Sequence, residues 1–259
     1  MNDYVNTEKQ EIIQHLRSAQ ELYVIISMCT GSPYVVCDQE TFDDEILIFL
    51  GEADAQKEAK KLTEAGIPVN IAKLENRQLL LFYTSLYTMG INALMVRTQG
   101  TGCLIQLAEF VKRNKQEQLP DGKVWVENPS LHLTALYYMQ ELRRKPGQES
   151  NPQIKEWQDE IANDFNKGSF ILPVQKEGSG IAVIKLNEEV FQAIFTDILE
   201  FQKFNREGRL RPIVVNAHKI PQIMAPEAKG VVVNPLGVRM PLQIKRTAGE
   251  GSRPAGESS

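Results

Sequence analysis

After Phe165 the order of strand-like and helix-like segments starts over, and this repetition constrains the fold more than any other feature of the chain. "SFILPVQK" (169–176) answers "ELYVIISM" (21–28), and "GIAVIKL" (180–186) answers "PYVVCD" (33–38). "QAIFTDILEFQKFNREG" (192–208) answers "ILIFLGEADAQKEAKKL" (46–62). Each of these last two is a strand that enters a helix through a small residue and an acid, Thr196-Asp197 and Gly51-Glu52. "RPIVVNAHKI" answers "IPVNIAKL", with Pro212 opposite Pro68, and "IPQIMAPEAKG" is a shortened version of the 76–90 helix. "GVVVNPLG" answers "GINALMV", with Gly230 opposite Gly90. The offset stays at about 140–148 residues, far longer than a solenoid repeat. The expected fold is therefore α+β: two similar lobes from an internal duplication, each a mixed or antiparallel sheet with packed helices. The expected division is 1–122 for the first lobe, 123–246 for the second and 247–259 for a disordered, low-complexity tail.

Local signals fill in the elements. Thr7 and Gln10 have capping-box spacing ahead of Ile12, Ile13 and Leu16, so a first helix is expected to start at Thr7. "EADAQKEAKKLTEAG" (52–66) is rich in helix formers and stops at Gly66. In 76–90, Leu79, Phe82, Leu86 and Met89 fall at helical spacing, with Asn76 as a cap and Gly90 as the stop. Tyr83 and Tyr87 are expected at its half-exposed edge, and a partner surface there is favoured over a cofactor pocket. Asn128-Pro129 and Asn151-Pro152 each read as a cap followed by proline in the first helical turn. Ile154, Trp157, Ile161 and Phe165 line one face of the second of these helices.

The stretch "VVVNPLGVRMP" combines several rules. Three consecutive valines cannot alternate in and out, so Val231, Val232 and Val233 should form a strand buried on both faces. Asn234 to Gly237 fits a turn with proline second and glycine fourth. Pro241 cannot donate to a ladder, which puts the returning strand at an edge.

The chemistry-bearing residues are few. The net charge of −4 is interspersed rather than blocked, which argues against a nucleic-acid partner. Cys29, Cys37 and Cys103 have neither zinc nor disulfide-framework spacing and read as reduced, packed thiols. No HExxH, GxSxG or phosphate-loop spacing occurs. "RTQGTGC" (97–103) lacks the lysine of a phosphate loop and reads as a connection, with 103–112 left open between helix and strand. Asp197 and Glu200 have the spacing of a helix N-cap and its return partner. "FDDE" (42–45), with Asp38 nearby, lacks the glycine and the alternation of a calcium loop and reads as a solvated turn. His132 has no carboxylate three or four residues away, His15 has Glu11 four residues before it, and His218 sits in a strand pattern.

The runs "ELYVI…DDEILIFLGEADAQKEAKKL…GIPVNIAKL…LYTMGIN" and "FILPV…FTDILEFQKF…VVVNPLGVRMPL" resemble the N-terminal-type domain of the SseB family, named for enhanced serine sensitivity. Together they cover most of residues 9–242. The specific parts are Phe195-Thr196-Asp197 and the corner from Val233 to Gly237; the first half has Leu-Gly-Glu and Asn-Ala-Leu in their place. The resemblance implies a cytoplasmic bacterial protein of undefined biochemical activity and supplies no catalytic residues. A polar N-terminus without an apolar core agrees with the cytoplasm, and no apolar run is long enough to span a membrane. The expected function is a non-catalytic binding or regulatory module for an unknown protein or small molecule, without cofactor, metal, nucleic acid or membrane. The alternatives are an enzyme working through Asp197, Glu200, Asn234 and Arg239, and self-association through a sheet edge to a homodimer.

Overall fold

The computed structural model describes residues 2–98, 101–113, 124–178 and 180–246, with side chains from Lys9 onward. The tail after 246 and positions 99–100 of the 97–103 loop lie outside the described residues. The order is α1 (Asn2–Ser18), β1 (Glu21–Ser27), β2 (Val35–Cys37), β3 (Asp44–Phe49), α2 (Glu52–Glu64), β4 (Val69–Glu75), α3 (Asn76–Thr88), β5 (Ala93–Thr98), β6 (Thr101–Gln106) and α4 (Leu107–Phe110). There follow α5 (Pro129–Arg144), α6 (Pro152–Lys167), β7 (Ser169–Gln175), β8 (Val183–Leu186), β9 (Glu189–Ile194), α7 (Ile198–Phe204), β10 (Leu210–Asn216), α8 (Ile220–Ile223), β11 (Gly230–Val233) and β12 (Met240–Gln243).

The first sheet runs β4-β1-β3-β5-β6, with β2 also paired to β3. Only β3 and β5 are parallel; every other pair is antiparallel. In the second half, β10 pairs with β7, and β12-β11-β9-β8 form a ladder. Ile171 and Phe195 exchange both backbone hydrogen bonds at 3.0 Å and join the two pieces. The second half thus runs β10-β7-β9-β11-β12 with β8 on β9, again with only the central pair, β9 and β11, parallel.

The registers agree in detail. Tyr23 pairs with Phe49 and Ile171 with Phe195, and in each half the helix N-cap, Gly51 or Asp197, stands two residues on. Ile48 pairs with Val96 and Ile194 with Val233, so Asn234 occupies the position of Arg97. This corrects the matching of Gly230 with Gly90: Asn92 enters β5, whereas Asn234 leaves β11. It also makes Gly51, not Glu52, the counterpart of Asp197.

Why these segments form strands is visible in their burial. β1 buries Leu22 and Val24 on one face and Tyr23 and Ile25 on the other, as a continuous apolar run requires. The Tyr23 face is covered by α2 through Ala55. On the second sheet the comparable face, Ile171, Ala193 and Phe195, is covered by Phe201 of α7. The opposite faces of both sheets meet in one shared core that includes Leu22, Leu94, Leu136, Phe170 and Val233. Val231, Val232 and Val233 are fully buried, each side chain contributing about 1.5–3 kcal/mol relative to exposure. β12 is an edge strand, as Pro241 demanded.

α5 is the strut of this core. Tyr137 donates to Asp44 Oδ1 (2.7 Å), and Gln140 exchanges two hydrogen bonds with the backbone of Val35, in place of a missing neighbour strand. Arg143 donates to the carbonyls of Cys29, Val238 and Arg239, tying both halves together.

Several local expectations are revised. α1 begins upstream of Thr7, so Thr7 is not its cap. The cap of α3 is Glu75 in a capping box with Gln78, and Asn76 instead donates to the Ala19 carbonyl. Asn151 caps α6 through Gln153 N (3.0 Å), but Asn128 spends its amide on the carbonyls of Ser169 and Thr196. Residues 101–106 are strand and 107–110 a short helix. His218 lies in an exposed 3-10 turn rather than a strand. The acids before β3 are tethers as well as surface: Asp38 caps its own turn, and Asp43 accepts from Asn92 and Gln106.

Candidate functional site

Two places could carry function: a buried polar network at the carboxyl ends of β9 and β11, and an apolar cleft beside it. Asp197 caps α7, its Oδ1 accepting from Leu199 N (2.9 Å) and Glu200 N (3.1 Å). Its Oδ2 accepts from Thr196 Oγ1 at 2.8 Å. The Thr196 backbone N–H donates to Asn234 Oδ1 (3.0 Å), and Asn234 Nδ2 donates to Thr196 Oγ1 (2.8 Å). His132 of α5 closes the network, its Nε2 at 3.4 Å from Asn234 Nδ2 and its Nδ1 at 3.3 Å from Thr196 Oγ1 and 3.8 Å from Asp197 Oδ2.

All four of these residues have zero exposure. Burial lowers the pKa of His132, against the opposing charges of Glu200 and Asp197 and the Thr88 carbonyl. The lowered pKa favours the neutral ring, whose two nitrogens, one a donor and the other an acceptor, face Asn234 and Thr196. Asn234 itself holds φ +48°, in the left-handed region that asparagine tolerates better than most residues. Its carbonyl accepts from both Gly237 N and Arg239 N (2.9 Å each), which closes the corner.

Glu200, also buried, pairs through Oε1 with Lys203, while Oε2 has no partner among the described residues. Of the four residues singled out from sequence, Asp197, Glu200 and Asn234 come together in or beside this network. Arg239 does not: its side chain is exposed, and only its backbone is used, the N–H donating to Asn234 and the carbonyl accepting from Arg143. His132 escaped sequence reasoning because its partners stand 64 and 102 residues away. One signal was present: it is a polar residue on the face of α5 that buries Leu131, Ala135, Leu136 and Met139.

The cleft holds about 600 Å³, within the roughly 300–1,000 Å³ typical of ligand sites. One wall is Val24 and Ile26 of β1 with Leu74 of β4, Leu81 and Phe82 of α3; the other is Leu199 of α7 and Leu236 of the corner. Leu81 and Leu236 are 61% and 57% exposed, so apolar surface lies open at the mouth. Lys203 and Arg206 stand on the ridge between this cleft and a larger, charged one beside β10. Contrary to the expectation for α3, Tyr83 is buried and it is Leu80 and Leu81 that face outward.

The three cysteines are thiols, each half-buried. Among the described residues no cluster of three or more His, Cys, Asp or Glu side chains could hold a metal ion, and no helix is long and apolar enough to cross a membrane.

No protein-family model and no curated protein matches the chain. Among solved structures, Tic22 from Anabaena, described as protein transport, is 13% identical over 86% of this chain and 92% of that one, with a TM-score of 0.22. Tic22 from Plasmodium falciparum is 14% identical over 85% and 89%, with a TM-score of 0.21. Neither score is high enough to establish a shared fold.

Proposed function

We propose that the protein is a non-catalytic binding module whose docking site is the apolar cleft between α3 and α7. The observation that carries this is the contrast between the two candidate places. His132, Thr196, Asp197 and Asn234 are sealed at zero exposure and contact one another through their polar atoms, whereas the open surface beside them is largely apolar. A group that no substrate can touch cannot act on one, while exposed leucines around a concave surface are what a binding site presents. Titration with Nile red, a neutral dye that brightens in apolar surroundings, tests this. The dye should bind, and Leu236→Asp, at an exposed position, should abolish the signal without unfolding the chain. Unchanged dye binding in that variant removes the cleft as the site.

An enzyme acting through Asp197 and Glu200 is the competing reading, favoured only by the unpartnered Glu200 Oε2. Asp197→Asn would then abolish turnover at constant stability; a stability loss of about 1 kcal/mol as the sole effect marks a cap.

We also take the two halves, 1–122 and 123–246, as copies of one duplicated unit of SseB N-terminal type in a cytoplasmic protein. The shared strand order, the single parallel pair in each half and the matched registers support the duplication. Superposing residues 21–106 on 169–243 should align six strands; alignment of the central pair alone would refute it.

A further inference from the structure

We infer that the partner is an acidic amphipathic segment of polypeptide that lies across α3 and anchors apolar side chains on both flanks of that helix. This rests on the cleft being a docking site and adds the chemistry of its occupant.

α3 exposes two consecutive leucines, Leu80 at 71% and Leu81 at 61%. Consecutive helical residues point roughly 100° apart, and these two diverge into different depressions. Leu81 lines the inter-sheet cleft. Leu80 lines a second hollow of about 370 Å³ between α1, α3 and α4, where Leu16, Leu79, Tyr83 and Phe110 form apolar walls. α3 is therefore an apolar ridge between two apolar hollows. Two large exposed leucines side by side have no explanation in the packing among the described residues.

The charged side chains that line the two hollows all have one sign. Arg17 and Lys112 line the second hollow; Arg77, Lys203 and Arg206 line the cleft; no carboxylate lines either. Arg77 is paired with Glu75 and Lys203 with Glu200. Arg17 and Arg206 flank the ridge from opposite sides, and neither they nor Lys112 pairs with a carboxylate among the described residues. Arg17 Nη2 donates to the Phe110 carbonyl at 3.4 Å, and its guanidinium lies 5.8 Å from the centre of the Phe110 ring. The chain as a whole carries −4, so a cationic border around its most exposed apolar strip runs against its composition. Apolar anchors inside a cationic border select a partner with apolar residues on one face and acids beside them. A basic amphipathic segment would meet repulsion on both flanks. Single-stranded nucleic acid would call for aromatic stacking platforms, and the exposed groups here are leucines.

The test uses the full-length chain and fluorescence anisotropy with labelled peptides of about 18 residues, long enough to be helical. One carries Leu at i, i+4 and i+7 with Glu at the remaining positions; a second replaces every Glu with Lys. The Glu peptide should bind and the Lys peptide should not. Leu80→Asp/Leu81→Asp should weaken the Glu peptide more than about tenfold, an effect of hot-spot size. Arg17→Glu/Arg206→Glu should shift the preference towards the Lys peptide, a gain that misfolding cannot produce. Equal affinity for the two peptides, or full retention of the Glu peptide by the double-leucine variant, overturns the inference. So does leucine-dependent binding of anionic phospholipid vesicles in place of the peptide. Nile red separates the two levels: dye binding without Glu-peptide binding sinks the acidic partner and leaves the cleft standing, while loss of both sinks both.

Discussion

Replacing Asn234 with alanine should cost about 3–5 kcal/mol, because the side chain does three jobs at a site closed to water. Its Oδ1 is the acceptor for the Thr196 backbone N–H at 3.0 Å, and a buried amide stripped of its acceptor costs about 1–3 kcal/mol. Its Nδ2 donates to Thr196 Oγ1 (2.8 Å) and approaches His132 Nε2 (3.4 Å); losing these adds about 1 kcal/mol. Finally, φ is +48°, and alanine in that region costs about 1 kcal/mol more than a residue that tolerates it. Glycine removes the last cost and keeps the first two, so Asn234→Gly should be less damaging than Asn234→Ala by up to ~1 kcal/mol. Against a typical total of about 5–15 kcal/mol, the alanine variant should be marginal at physiological temperature. Urea unfolding followed by far-ultraviolet circular dichroism, with the slope m compared between variants, measures the loss. A loss in Asn234→Ala below ~1 kcal/mol at unchanged m would refute the assignment of Asn234 as the tie between β9 and β11.

Other perturbations probe the same region and its neighbour. His132, its pKa lowered by burial from 6.5, takes up a proton less readily in the folded chain than in the unfolded one. Its contribution to stability is therefore intact above pH 6.5 and is lost as pH falls below it, at no more than about 1.4 kcal/mol per pH unit; His132→Gln should flatten that part of the pH–stability curve, and an unchanged curve would show that the ring is not the group responsible. A Cβ on Gly237 would stand 2.7 Å from Glu200 Oε2, so Gly237→Ala should cost about 1–3 kcal/mol by overpacking; combined with Glu200→Ala the two losses should fall well short of additive, and strict additivity counts against the clash. Tyr83→Phe removes a buried hydroxyl that has no partner among the described residues and should be neutral or stabilising by up to ~1 kcal/mol; a loss larger than that in urea unfolding means the hydroxyl is satisfied.

What the sequence disclosed and what it hid divide along one physical line. Several rules that depend on the chain's own neighbours worked, although the side-chain caps expected at Thr7, Asn76 and Asn128 did not form. The three valines dictated a strand buried on both faces, Pro241 dictated an edge, and Asp197 is the cap its position suggested, although Glu200 pairs with Lys203 instead of reaching back to it. Rules that need a distant partner did not. Nothing local shows that His132 faces Thr196 and Asn234, since that contact exists only once α5 has crossed onto the second sheet. The exposure of Leu80 and Leu81 was hidden for the converse reason. Periodicity found the buried face through Leu79, Leu86 and Met89, but it assumed that tyrosine would take the wet edge. Tyr83 is buried instead, with its ring edge-on to Phe110 at 4.6 Å. The corner was matched to the wrong end of β5 because a glycine and an asparagine recur there, and only the pairing of Ile48 with Val96 and Ile194 with Val233 sets the register.

The buried network and the cleft are two ends of one construction. Asp197 fixes the first turn of α7, and the residues that follow on that helix, Leu199, Lys203 and Arg206 just beyond it, form a wall of the cleft. Asn234 fixes the corner, and two residues later Leu236 stands at the cleft mouth. In the first half the corresponding positions are Gly51, which makes no side-chain cap, and Arg97, whose Nε is buried without a partner among the described residues. The polar network therefore belongs to one half only, and that half supplies the wall that closes over α3. A fully satisfied buried network specifies one arrangement where an apolar contact would tolerate several. This gives the network a role without any chemistry of its own: it holds Leu199 and Leu236 in place opposite Leu81. The consequence is measurable, because Asn234→Gly, kept folded at low temperature, should weaken Nile red binding although Asn234 does not line the cleft. Dye affinity equal to that of the unaltered chain would separate the network from the cleft and leave it a stabilising element alone.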